Sequence, residues 1–467
     1  MRTLTNGVWV VAAVTAAQSL LILRTPDRGL EVDLVLQAAL LGSFAIWSAR
    51  ATGSYLNAPL MLVTAIYFWH STFLTAHFLS SIPEFEYTGN TLSYGEEYVS
   101  RASALVALCM TCAVVGTLLA FRLPMAEPIR DGARPALRAS AAQFAWIVLL
   151  AFAALTAAYF LVEGVPRFHQ SYLSLYLTSS GSVVDRVFQS TKFFGVVAIL
   201  MVFATRRGRG LPYAAIGVSG LIVFANLLLG SRSLPYIYGL AALVCIDRFV
   251  WRLSVLEVAT LAVAASALSF RIDHARAYGI GLQVFDLSRT GRSIDLLHIF
   301  SNAGGVIKTV LRTMAFSSGR TFFYGRSILD AVVYLLPRRL VDGVGLGTGF
   351  VRPSDWLLAY SGDVPMGEGM GYSLVAEAYL NFGYVGCLLF LALGWFVGRQ
   401  YATYLRSGDR VAWVHASNVA VVLSLHMRSD AAAYLRVLVY GWLLIEALRW
   451  ISARWERVRV VLAPAVR

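Results

Sequence analysis

The sequence predicts an all-α, polytopic membrane protein with about twelve transmembrane helices and one large exterior loop bearing amphipathic helices. Composition comes first: of 467 residues, 58% are hydrophobic and 14% charged, where a soluble domain carries about a quarter charged. The mean hydropathy is +0.66. Second, the apolar residues gather in runs of roughly 17–25, the length a helix needs to cross the hydrocarbon core. Third, the short arginine-rich connections fall on alternate loops, as the positive-inside rule requires. A barrel would instead alternate polar and apolar residues over segments of about ten.

Taken in order, the runs lie at 7–23, 32–49, 58–82, 102–121, 141–162 and 187–205, then 211–229, 234–248, 254–270, 371–398, 411–427 and 431–450. With the N-terminus inside, Arg50, the stretch Arg122 to Arg138, and Arg206, Arg207 and Arg209 all become cytoplasmic. So do Arg248 with Arg252, the stretch Arg399 to Arg410, and the tail from Arg449. Both termini are therefore expected in the cytoplasm of a multi-pass protein. The first run lacks a cleavage pattern and is expected to be the first span. Three regions follow: 1–270 as an N-terminal membrane region of nine spans, 271–370 as the exterior loop, and 371–467 as three further spans and a basic tail. Cys109, Cys112, Cys245 and Cys387 all lie in apolar runs and are expected to pack.

Four segments face the exterior: the acidic Pro83–Ser100, Glu163–Arg186, the turn Gly230-Ser231-Arg232-Ser233, and Arg271–Met370. The last is too long for a connector, which predicts a functional loop. Apolar spacing in Ser293–Phe316 and Ser327–Leu340 predicts amphipathic helices at the membrane surface. Basic residues outnumber acids in this loop, among them Arg292, Lys308, Arg312, Arg338 and Arg339. Guanidinium forks match phosphate oxygens, so an arginine-lined exterior cavity points to a phosphorylated lipid substrate.

Three arginines stand at or inside the hydrocarbon boundary, where charge is costly and usually faces a polar cavity. They are Arg232 in its turn, Arg428 in Arg428-Ser429-Asp430, and Arg436 in the last run, the last expected to snorkel or pair. Glu377 is a lone carboxylate at the exterior end of the tenth run. It is expected to pair with an arginine or stay protonated, and either condition suits a general base or a group that orients a cation. Asn381 lies one turn further along the same face. His298, three residues after Asp295, competes as a base, as do His70, His77 and His426. No His-Glu-x-x-His spacing and no Gly-rich loop ending in Lys-Ser/Thr occurs, so neither metal, cofactor nor nucleotide hydrolysis is expected. Nor is a nucleic-acid partner.

Gly230-Ser231-Arg232-Ser233, Leu336-Pro337-Arg338-Arg339 and the segment Gly371-x5-Glu377-x-Tyr379-x-Asn381-Phe382-Gly383-x2-Gly386 resemble the Wzy-type oligosaccharide repeat-unit (O-antigen) polymerases. The resemblance covers roughly Asn226 to Asp430; earlier residues match in hydropathy alone. It implies a bacterial inner-membrane glycosyltransferase of the GT-C-like superfamily shared with O-antigen ligases. Such an enzyme transfers a growing glycan from undecaprenyl pyrophosphate to a new lipid-linked repeat at the periplasmic face. Carried over position by position, Arg232, Arg338 or Arg339, and Arg428 would hold pyrophosphate, with Glu377 as base or as the group that orients an arginine. Tyr379 and Asn381 would contact substrate, and Arg292 and His298 loosely resemble the superfamily's loop arginine and histidine. Expected partners are the lipid-linked oligosaccharide, membrane lipid and a chain-length regulator. The alternatives are an O-antigen ligase, with the same donor and another acceptor, and a polysaccharide or lipid-linked-sugar transporter.

Overall fold

A computed structural model describes residues 2–26, 29–80, 95–123, 139–165, 182–205, 210–229, 231, 233–275, 305–317, 322–336, 341, 352–361 and 372–462. Among these the chain is helical and no strand occurs. The helices of the first half are α1 (Arg2–Arg24), α2 (Leu30–Thr52), α3 (Ala58–His70), α4 (Thr72–Ser80), α5 (Glu96–Arg122) and α6 (Ala139–Tyr159). Then come α7 (Val183–Thr191), α8 (Phe194–Ala204), α9 (Gly210–Leu228), α10 (Ser233–Phe249) and α11 (Val255–Ala275). Three short helices, α12 (Ile307–Ser317), α13 (Arg326–Val333) and α14 (Pro353–Ser361), belong to the long loop. The chain closes with α15 (Leu374–Phe382), α16 (Leu388–Ser407), α17 (Arg410–His426) and α18 (Ala431–Leu462).

Every apolar run of the sequence is mostly helical over its described residues. Among the described residues, six helical stretches are long and apolar enough to cross a membrane, or seven if a bent pair counts as one. The runs that fall short have physical reasons. Run 58–82 is interrupted at Ser71, between α3 and α4. Run 187–205 starts inside α7, which meets α8 at an angle of 49°. Run 371–398 is different: it lies within one of the six, Leu374–Ser407, even though a 3-10 turn over Gly383–Cys387 interrupts it, opening on Gly383 at φ +60°, a conformation costly for any residue with a Cβ.

Two features position the site. The pair α5–α16 forms the most intimate helix contact of the bundle. A Cβ on Gly394 would lie 2.1 Å from the Ala113 carbonyl oxygen, so the backbones touch. Small residues at the seam are how apolar helices gain packing energy where lipid supplies no hydrophobic drive. The second feature is α17, buried along nearly its whole length. It contacts α3 and α16 on one side and α8, α10 and α18 on the other, which makes it the axle of the bundle.

The predicted amphipathic helices exist in their described portions as α12 and α13. α12 seats its apolar face on protein, against α5, α14 and α15, whereas α13 contacts α15 and α18 but leaves Leu329 and Val332 exposed, as a surface helix would. Ile307, Val310, Leu311 and Met314 are buried on α12, and Ala331 on α13. The loop is thus docked onto the end of the bundle at which Glu377 enters.

Candidate functional site

The site forms around the short connection between α17 and α18. Asp430 caps α18 by accepting from the Ala433 N–H at 3.1 Å, and its other oxygen accepts from Ser354 Oγ of α14 at 3.0 Å. Ser373 starts α15 by accepting the Ala376 N–H at 3.1 Å, a cap typical of serine. The same hydroxyl donates to His70 Nε2 at 2.8 Å, while His70 Nδ1 donates to the Ile66 carbonyl at 2.9 Å. His70 therefore buttresses the start of α15. The Leu374 N–H reaches the Met427 carbonyl at 3.1 Å, tying α15 to the end of α17.

Glu377 follows on the first turn of α15, 1% exposed. Its carboxylate accepts from Ser327 Oγ of α13 at 2.6 Å and from the Ala431 N–H at 2.6 Å. The second contact puts an anion at the first residue of α18, where the helix dipole and unpaired N–H groups favour negative charge. Asn381 Nδ2 donates to Ser327 Oγ at 2.7 Å and to the Glu377 carbonyl at 2.8 Å. Asn381 Oδ1 is buried with no hydrogen-bond partner among the described residues. The expectation of an arginine beside Glu377 meets a different arrangement: among the described residues its donors are neutral, a hydroxyl and a peptide N–H.

Arg428 is half-buried at the same connection, its guanidinium carbon 5.4 Å from the centre of the Trp69 ring. Tyr379 points away from Glu377. It packs edge-on to Phe322 at 5.9 Å and Tyr384 at 5.3 Å between ring centres, and bonds Ser317. Arg436 donates from Nη2 to the Tyr334 carbonyl at 2.7 Å, and Tyr440 donates to the Leu335 carbonyl at 2.6 Å. Together they fasten the end of α13 to α18 just upstream of Pro337. The pairing expected of Arg436 is thus made with a helix C-terminus, whose carbonyls lack intrahelical donors.

Glu377, Asn381 and Arg428 are therefore brought to one connection, with Tyr379 on the adjoining face of α15. Arg232, Arg292, His298, Arg338 and Arg339 lie outside the described residues. Sequence reasoning missed Ser327 and the Ala431 N–H as partners of Glu377. A serine in a loop carries no signal of its own, and a peptide N–H carries none at all. Among the described residues no group of three or more His, Cys, Asp or Glu is placed to hold a metal.

On another face of α12, Lys308 sits 4.6 Å from the centre of the Phe73 ring. Burial, reinforced by Arg312 nearby, pushes its ammonium down to about 8.

No curated protein and no solved structure gives a significant match to the chain. A family model does, the O-antigen polysaccharide polymerase Wzy, over residues 54–455. The match extends well beyond the second-half motifs and takes in α3, whose His70 braces the site, as well as the α17–α18 connection. With most of its length matched, this multi-pass membrane chain belongs to the O-antigen polysaccharide polymerase Wzy family.

Proposed function

We propose that the chain joins lipid-linked oligosaccharide repeats, moving the growing glycan from undecaprenyl pyrophosphate to a hydroxyl of a new lipid-linked unit. The reaction runs at the periplasmic face of the bacterial inner membrane, with both termini cytoplasmic, and needs no metal. Family membership carries the reading, and the buried polar groups at the connection between α17 and α18 support assigning it there.

The acceptor oxygen attacks the anomeric carbon as the bond to pyrophosphate breaks, and negative charge grows on the leaving diphosphate. Guanidinium groups meet that charge: Arg428 from the connection itself, with Arg232, Arg338 and Arg339 from the loops. Glu377 is cast as a positioning residue. Its oxygens are occupied by Ser327 and Ala431, and it sets the start of α18 three residues after Arg428. His298, within reach of Asp295 on a helical spacing, is the candidate to take the acceptor proton. Arg292, Tyr379 and Asn381 are assigned to substrate contact, and the bundle is assigned to the GT-C-like class.

The test is reconstitution. Purified protein in nanodiscs, given a lipid-diphosphate repeat unit and no ATP or divalent metal, should yield a ladder of glycan lengths on a gel. Only single units in the presence of EDTA, with a ladder when metal is restored, would overturn the metal-free mechanism. Transfer of a preformed chain to a lipid A core, with no ladder, would favour a ligase instead.

A further inference from the structure

The bend between α7 and α8 carries Lys192, one of the chain's two lysines. A cation at a 49° break in an otherwise apolar stretch is costly unless something polar meets it. Lys192 Nζ donates to Gln189 Oε1 at 2.9 Å and lies 5.5 Å from the centre of the Phe193 ring. An ammonium has three N–H groups, and the other two find no hydrogen-bond acceptor among the described residues. Asp185 lends it charge from one turn above Gln189, and accepts from Gln189 Nε2 at 3.3 Å. Tyr238 pins the bend by donating to the Lys192 carbonyl.

The ring of Phe193 also faces His426, at 5.4 Å between centres. His426 is 8% exposed. Its Nδ1 pairs with Ser429 Oγ at 3.2 Å, while Nε2 is buried with no hydrogen-bond partner among the described residues. In the tautomer whose Nδ1 accepts the Ser429 hydroxyl, Nε2 presents an N–H. The charges of both Lys192 and Arg428 act on this ring. Lys192 and His426 thus meet across the Phe193 ring, beside Arg428, and the buried His426 Nε2, without a partner among the described residues, costs about 1–3 kcal/mol.

Resting on the polymerase reading above, we propose that Lys192, His426 and Arg428 form an anion-binding pocket at the α7–α8 bend, built for the diphosphate of a lipid-linked substrate. The bend brings an ammonium up to the connection that already carries Arg428. The adjoining α8 is apolar along its whole length, so a diphosphate with an isoprenoid tail suits both surroundings.

The test measures binding apart from turnover. The full chain, in phosphatidylcholine nanodiscs, is titrated calorimetrically with farnesyl diphosphate, inorganic pyrophosphate and farnesol. Wild type should bind farnesyl diphosphate most tightly and farnesol least. Lys192→Met should weaken farnesyl diphosphate about ten- to a hundredfold, the loss expected for a charge-assisted hydrogen bond, and Lys192→Arg should restore most of it. His426→Phe should weaken it about tenfold, and carries the test should Lys192→Met not fold. Wild-type affinity in both variants would overturn the pocket. So would displacement of farnesyl diphosphate by phosphatidylglycerol in the nanodisc, since the site would then be a headgroup site. Binding that depends on Lys192 in a protein making no ladder would sink the polymerase reading alone. A normal ladder with unchanged binding in Lys192→Met would sink the pocket alone.

Discussion

Replacing Glu377 separates a positioning role from a chemical one. In Glu377→Ala the Ser327 hydroxyl and the Ala431 N–H lose their acceptor inside a site that is 1% exposed. Each stranded buried donor costs about 1–3 kcal/mol, so the two together cost about 2–6 kcal/mol, less whatever Ser327 recovers by turning elsewhere. Glu377→Gln keeps the shape. Its carbonyl still accepts from Ala431, while its amide N–H faces Ser327 Oγ, which already accepts from Asn381 at 2.7 Å. That strain costs about 1 kcal/mol. The expected result is a lowered melting temperature and no polymer for the alanine variant. The glutamine variant should melt slightly below wild type and retain a shortened or slowed ladder. Both are read by fluorescence melting in detergent and by gel. A glutamine variant as stable as wild type yet wholly without polymer would refute the positioning role and return Glu377 to the chemistry as a base.

Arg428→Ala should leave single-repeat lipid intermediates in cells, with Arg428→Lys recovering part of the polymer because a point charge replaces only part of a bidentate fork; full-length polymer in the alanine variant would remove Arg428 from the site. Gly394→Val should cost at least about 1–3 kcal/mol by overpacking, since even its Cβ would sit 2.1 Å from Ala113 O. Gly42→Ala, with nothing within 4 Å, is the neutral control, and equal yields of folded protein from the two would show that the α5–α16 seam is not tight. Lys308 titrates at about 8 in the folded protein, below the 10.5 of an unperturbed lysine. Between these values the unfolded chain binds more protons, so this group's contribution to stability rises with pH from about 8 to 10.5 and is flat below. Lys308→Met should remove that rise from melting curves recorded across the range, and an unchanged slope would deny the burial of Lys308.

The helical class and the positions of the apolar runs were legible in sequence, because the length of an apolar run is a direct physical requirement of crossing hydrocarbon. Breaks within the runs were harder to see. Ser71 and Lys192 are single residues whose polarity averages away over a span, and Gly383 declares itself only through its positive φ. At the site, Glu377 and Asn381 were readable as a pair from their i, i+4 spacing, and they share Ser327 as that spacing allows. The identity of their partners was not readable. Ser327 lies fifty residues upstream in the long loop, and the other donor is backbone. Tyr379 shows the opposite limit: two positions from Glu377, it is carried by the helical period onto a different face.

The glycine seam between α5 and α16 has a bearing on how greasy substrates reach the interior. Helices whose backbones touch cannot part without surrendering that contact, so the seam is the part of the bundle least suited to admit a lipid chain. Traffic from the bilayer is left to walls built of longer side chains. In the proposed reaction two tails would be held in each round, one departing and one retained, and this seam would be the fixed frame around which they move.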